Sequence, residues 1–415
     1  MIARRRYRIR AIRGQLPYVS LAIAILYVVA NLVHAIRIAD LFWANASRVA
    51  YAIEAAVAIG YAVVAVQRGR AGVAAAAALI LLFLAGQHLL FTDRSGAPVN
   101  FNVLFNYMPL FGFVVFSESR LSIATFARIL LVVSAIYTFL YLVGAPYLEA
   151  HFPRDNRTLL PDHEGSGVRV YFVGAYAMFA VFAALRMRRM PPLLRGALIV
   201  GGISAVLLSD SRTFLALSIL TLGLAVTTNM SRPLRLLLAA GIYGAMVVML
   251  LGVFVPDWNP FGFFNDQSAL TRKTEYTAVV QVIRDHWVSG VGLPTDTAAL
   301  QTYLRTPRYE PVFGSDLGIL GPWFDFGLIG LFAFFLAVWV VCLTPSLSRQ
   351  GEVQAIQLLA ITCALDGMIS PMLLYEPTVI FFMLLIGNII RLLRWRRMAG
   401  EKPTLRDYPL SFRYA

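Results

Sequence analysis

Along the 415-residue chain, long apolar runs alternate with short polar punctuation. A helix crossing the hydrocarbon core of a bilayer needs about 20 mostly apolar residues. By that ruler the pattern predicts about twelve spans. They fall at 17–36, 49–66, 71–91, 99–116, 123–147, 168–185, 193–208, 212–228, 233–255, 317–343, 353–369 and 373–393. The expected fold is all-α, a polytopic membrane protein with about 12 transmembrane helices and a large outer loop between spans 9 and 10. Three stretches follow: spans 1–9 in 1–255, the loop in 256–316, and spans 10–12 with a basic tail in 317–415.

Composition agrees with that solvent. The chain is 59% hydrophobic and 14% charged, with a mean hydropathy of +0.70, more apolar than a water-soluble domain needs. A cleaved leader would have a shorter apolar core and a nearby small-residue cleavage site. The one such site, Ala44-Asn45-Ala46, lies well past the first run, so 17–36 reads as a retained span. With the N-terminus inside, alternate loops collect most of the Lys and Arg: Arg4 to Arg13, Arg68, Arg70, Arg120, Arg128, Arg186, Arg188, Arg189, Arg195, Arg232, Arg235, Arg349 and the cluster from Arg391 to Arg413. This bias places both termini in the cytoplasm. Juxtamembrane arginines facing anionic lipid then account for the net charge of +14, and no nucleic-acid partner is needed.

Candidate chemistry is sparse inside the spans. Cys342 and Cys363 read as small packing residues. His34, His88, His151, His163 and His286 show no metal-ligand spacing, and Asp-x-Asp pairs and phosphate-binding glycine loops are absent, so neither a metal nor a cofactor is expected. Glu54 and Asp366 are the clearest intramembrane ionisable groups, fewer than an ion-coupled transporter usually shows.

Two connections, 148–167 and 256–316, are long and lie outside, where function concentrates. The second contains a predicted helix, 268–287, with an apolar stripe through Val279, Val282, Ile283 and Trp287. Helical spacing puts Tyr276 and Arg272 on the same face. A buried arginine is costly unless an anion meets it, and that anion is either a neighbouring carboxylate such as Glu275 or a ligand. "SGVGLPT" after the helix suits a tight reversal. At the tip Ser209-Asp210-Ser211-Arg212, either serine can cap the next helix while Arg212 snorkels. Alternatively Arg212 adds a forked phosphate-binding group to a helix N-terminus. Arg169, at the outer start of span 6, has the same two readings. Asp316 opens span 10, either as an N-cap or as a proton acceptor.

In order and spacing these pieces resemble the O-antigen ligase and polymerase family of bacterial surface-polysaccharide enzymes. Three matches carry the resemblance: Ser211-Arg212 between two spans, Arg272 ahead of "HWVSGVG", and Asp316, Leu317, nine residues, Gly327, two residues, Gly330. Asp316 stands where the ligases have a histidine, which favours the polymerase branch and leaves the ligase as the alternative. The resemblance implies a GT-C-like inner-membrane glycosyltransferase with a periplasmic active site, active in O-antigen or exopolysaccharide synthesis. Its donor would be an undecaprenyl-diphosphate-linked glycan, its acceptor another glycan, and its neighbours a flippase and a chain-length regulator. An enzyme outside the cytoplasm cannot rely on nucleotide sugars, and its main task is to stabilise charge on the departing diphosphate. Arg212, Arg272 and Arg169 would do so without a metal, and Asp316 would take the acceptor proton in an inverting displacement. Asp40, Asp366, Glu376 and His286 compete with Asp316 for that last role. A transporter for an anionic solute is the reading from a different class.

Overall fold

In the computed structural model the described residues are 18–34, 43, 45–151, 173–187, 189–209, 212–227, 232–263, 267–295, 297–304, 318–343, 351–366 and 379–398. Among them the secondary structure is helical, with no strand. The helices are α1 Tyr18–His34, α2 Ala46–Gln67, α3 Ala71–Ser95, α4 Gly112–Glu118, α5 Ile123–His151, α6 Gly174–Arg186 and α7 Pro192–Leu208. The second half holds α8 Arg212–Thr227, α9 Arg232–Phe254, α10 Gln267–His286, α11 Thr297–Leu304, α12 Leu320–Leu343, α13 Gly351–Asp366 and α14 Val379–Met398.

Five of these are long and apolar enough to cross a membrane by themselves: Ala46–Gln67, Ala71–Ser95, Ile123–His151, Leu236–Phe254 and Leu320–Val340. Four shorter apolar helices, Tyr18–His34, Gly174–Arg186, Pro192–Leu208 and Phe214–Gly223, fall on predicted runs. The run predicted at 99–116 takes a different form, a 3-10 helix over Phe101–Phe111 continuing into the seven-residue α4. Pro109 lies inside it and withholds an N–H, and the Asn100 side chain accepts from Asn102 N at 3.1 Å to start the tighter winding.

At the centre stands α6, with every residue from Gly174 to Ala184 buried. It packs on α5, α7 and α13, and α13 in turn meets α8. The outward faces keep large apolar residues exposed, among them Leu79 and Leu82 on α3, Phe139 and Val143 on α5, Val200 on α7, and Ile329 and Phe332 on α12. Such a surface suits lipid, and it identifies a helical membrane protein.

Segments predicted to share a side do meet. Glu118, with its side chain fully buried, receives Arg70 at 2.8 Å, Arg68 at 3.7 Å, and Arg394 of α14. Arg391 donates to the carbonyls of Leu121 at 2.6 Å and of Ser119. Arg128 pairs with Glu352 at 2.9 Å. These residues come from the connection after α2, the end of α4 and the turn after it, the start of α5, and the ends of α13 and α14, and they gather at one end of the bundle, called here the basic end. At the opposite end, the C-terminus of α3 meets the segment after α10.

Removing a buried carboxylate from among arginines leaves unpaired charge, which costs about 3 kcal/mol or more. We therefore expect Glu118→Gln to lower the detergent-solubilised melting temperature clearly. Arg70→Ala, whose side chain is 37% exposed, should cost about 1 kcal/mol or less. A thermal-shift measurement on both variants checks the ranking.

Candidate active site at the loop end of the bundle

The loop end is organised by a break in α12. Gly327 has φ 62° and ψ −147°, outside helical space, so the helix loses backbone hydrogen bonds around it. Three backbone groups beside the break find partners in the segment 288–292. Val291 N donates to Phe324 O at 2.6 Å, Gly292 N to Asp325 O at 3.0 Å, and Leu328 N to Val288 O at 3.1 Å. Trp323 Nε1 adds a bond to Trp287 O at 2.8 Å. Broken helices survive in apolar surroundings only with such replacement. Gly327 therefore makes the break within one helix. At Gly330 a Cβ would run into the Pro322 carbonyl of the same helix.

Side chains of α3 fasten the same segment. Arg94 donates to Gly290 O and, at 3.0 Å, to Ser289 Oγ. His88 Nε2 accepts from Asn100 N at 2.9 Å, so its Nδ1 carries the proton and donates to Leu293 O at 3.1 Å. Leu293 N donates to Gln87 O at 3.0 Å. "SGVGLPT" is thus a reversal, as expected, and also the plug of a broken span.

Before it, α10 buries Tyr276, Val279 and Ile283 of the predicted stripe, together with Glu275 and Val280, and leaves Val282 half-buried. Trp287 is 53% exposed, because α10 ends at His286, where Gly290 N bonds His286 O at 2.8 Å, and the chain has already turned. Tyr276 donates to Met249 O at 2.6 Å and accepts from Gly252 N at 3.2 Å, tying α10 to the end of α9. Burial pushes its hydroxyl up to about 12, so it remains a donor at neutral pH. Arg284 donates to Gly252 O at 2.6 Å and Val253 O at 3.0 Å, capping the last carbonyls of α9.

Of the four residues expected to hold the diphosphate or take the proton, only Arg272 has a described side chain. It is half-buried, on the face of Tyr276, and among the described residues no ion pair to it is found. Arg212 opens α8. Arg169 and Asp316 lie outside the described residues, as do Asp40 and Glu376, while Asp366 is the buried last residue of α13. Ser209 does not turn toward α8 as a cap: its hydroxyl donates to Val206 O at 2.8 Å and finishes α7.

His286, one of the sequence candidates for the base, has its Nε2 3.1 Å from Tyr303 Oη of α11. Burial first, then the Arg94 guanidinium, hold its pKa below the usual imidazole value, against a smaller opposing pull from Asp285. Two polar residues were missed from sequence. Arg94, at the end of α3, carries no motif that marks it in the sequence. Asp325, buried beside the break, is a carboxylate within an apolar run and could have been flagged for that alone. Among the described residues no three His, Cys, Asp or Glu side chains gather as a metal-ligand group.

Residues 196–335 match the family model described as O-antigen ligase. The match runs from within α7 through the break in α12 and takes in Arg212, Arg272, Asp316, Gly327 and Gly330. The resemblance carried by those residues is borne out over this stretch, and it indicates glycan transfer of the O-antigen ligase or polymerase type. A search of curated proteins returned no match.

The docked segment has a direct test. Gly290 has φ +68°, and a Cβ there would lie 2.6 Å from Asp325 O. Gly290→Ala should cost about 2 kcal/mol or more and speed proteolysis within 287–295. Gly262→Ala, where a Cβ meets nothing within 4 Å, should change neither.

Proposed function

We propose that the protein is an inverting, metal-independent polysaccharide polymerase of the inner membrane. It would transfer a glycan from a polyprenyl-diphosphate-linked donor to the end of another repeat unit on the periplasmic side, with both chain termini in the cytoplasm. The observation that carries this reading is Arg272, a half-buried guanidinium on the loop helix with no ion pair among the described residues. It lies within the stretch that matches the O-antigen ligase family. A cation kept in such a place is costly without an anionic partner, and a diphosphate supplies one. Guanidinium suits it through its forked two-bond geometry.

In the proposed reaction the acceptor hydroxyl oxygen attacks the anomeric carbon. The carbon–oxygen bond to the diphosphate breaks, the electron pair leaves with the phosphate, and the hydroxyl proton passes to a base. Arg212, Arg272 and Arg169 stabilise the developing phosphate charge. Asp316 takes the acceptor proton, with Asp40, Asp366 and Glu376 competing for that role. A second reading, transfer of the glycan to lipid A core, is favoured by the description of the matching family as O-antigen ligase. A flippase and a chain-length regulator are the expected neighbours of a polymerase.

Purified protein supplied with lipid-linked repeat units should lengthen the glycan. Arg272→Ala and Arg212→Ala should each reduce extension by about 100-fold or more. Arg272→Lys should fall between, since lysine lacks the fork. Intact extension in both alanine variants would overturn the assignment. Product that appears only when lipid A core is supplied would identify a ligase.

A further inference from the structure

Among the described residues, the basic end holds more positive charge than its carboxylates cancel. Arg68, Arg70 and Arg394 converge on Glu118, and Arg391 lies beside them on the carbonyls of Ser117, Ser119 and Leu121. Four guanidinium groups thus gather around one carboxylate, an excess of three positive charges. Glu352, the other carboxylate described at this end, is taken by Arg128 at 2.9 Å. Arg391 is accounted for, because its nitrogens cap the carbonyls at and just after the end of α4, where the helix dipole favours a cation. The other three are not.

Their donors show the same surplus. Arg70 bonds Glu118 through Nη1 alone. Arg68 uses one nitrogen, Nη1, for both the Glu118 carbonyl at 2.7 Å and the carboxylate at 3.7 Å. Among the described residues, Nε and Nη2 of both side chains have no partner. Arg394 reaches Glu118 through Nη1, and its Nη2 is buried without a partner. Like charges held this closely repel, and unpaired donors cost free energy, so the group is complete only with a further anion. An isolated arginine at the end of a span snorkels and finds its own water. Here the buried Glu118 has drawn three heads together, and their forks are assembled in advance for an anion with several oxygens.

Location says which anion. Arg68 and Arg70 sit on the turn between α2 and α3, 32% and 37% exposed. A Cβ on Gly69 between them would meet nothing within 4 Å, so the turn is open on that side. Leading up to it on α2, Ile59, Val63 and Val66 follow one another at helical spacing, each at least half exposed. Such a stripe faces acyl chains, and basic pockets between spans take anionic lipid head groups. A ligand with a phosphate at the turn and hydrocarbon along α2 satisfies both halves. Free phosphate has the charge and lacks the apolar part.

We propose that Arg68, Arg70 and Arg394 form a site for the phosphate group of an anionic phospholipid, with an acyl chain along Ile59, Val63 and Val66. Bound there, the phosphate bridges the α2–α3 turn and α14 and fastens the last helix to the first third of the chain. None of these residues falls within 196–335, and the site stands whether or not the chain extends glycans.

The test uses the full-length protein, delipidated in detergent, with phosphatidylglycerol as the probe. Native mass spectrometry should show one phosphatidylglycerol retained and no phosphatidylcholine. Added phosphatidylglycerol should raise the melting temperature, while inorganic phosphate at the same concentration should not. Arg68→Gln with Arg70→Gln should weaken retention by about tenfold or more. Arg68→Lys with Arg70→Lys keeps the charge opposite Glu118 without the fork, so it should fold as the wild type does and bind with an affinity between the two. Arg128→Gln with Arg189→Gln removes two charges from the same end, the second from the turn after α6 beside the start of α13, and should leave retention unchanged. Equal losses in the two glutamine pairs would overturn the site, as would equal retention of phosphatidylcholine by the wild type. Stabilisation by inorganic phosphate as large as that by the lipid would overturn the lipid as the ligand.

Discussion

A helix in an apolar bundle cannot leave its backbone groups without partners, and the break at Gly327 turns that rule into architecture. The freed groups of Phe324, Asp325 and Leu328 need partners, because an unpaired backbone group in apolar surroundings is costly. A segment from outside the span, Val288 to Gly292, does so through main-chain bonds. Two glycines make the approach possible, Gly290 and Gly327, each with a positive φ. The position of α10 follows, because the plug begins two residues after α10 ends at His286. Arg272 and its face of the loop helix are thereby fixed relative to α12, α9 and α3.

Much of the helical layout was legible in the apolar runs, because membrane spans are set by length and hydropathy. The 3-10 winding of Phe101–Phe111 was not, since period alone cannot show that Pro109 and the Asn100 cap tighten a turn. Arg272 on the inward face of α10 was legible from helical spacing. Trp287 was misjudged because the stripe was carried one residue past the helix end. The partnership of "SGVGLPT" with the glycines of span 10 joins residues 288–292 to 324–328 through backbone atoms, and side-chain identity carries no trace of such a bond. The tautomer of His88 was hidden for a similar reason, as it depends on an atom from a different segment.

Charge is distributed unequally between the two ends. At the basic end, arginines neutralise buried carboxylates, Glu118 and Glu352, and close the bundle. At the loop end, Arg94 and Arg284 spend their donors on carbonyl oxygens, which carry no full charge. The family match over residues 196–335 includes this region.

The grouping around Glu118 also bears on how the chain is assembled. Glu118 ends α4, in the first third of the sequence, and two of its three arginines, Arg68 and Arg70, precede it. The third, Arg394, together with Arg391, arrives on α14 near the end of synthesis. During insertion, then, the carboxylate is already neutralised by charges made before it, and the early hairpin can settle by itself. The last helix finds a partly satisfied acceptor and the open carbonyls of Ser119 and Leu121 waiting for it. Closure of the bundle is in this sense a docking of the final helix onto the first third of the chain, ordered in time by the sequence.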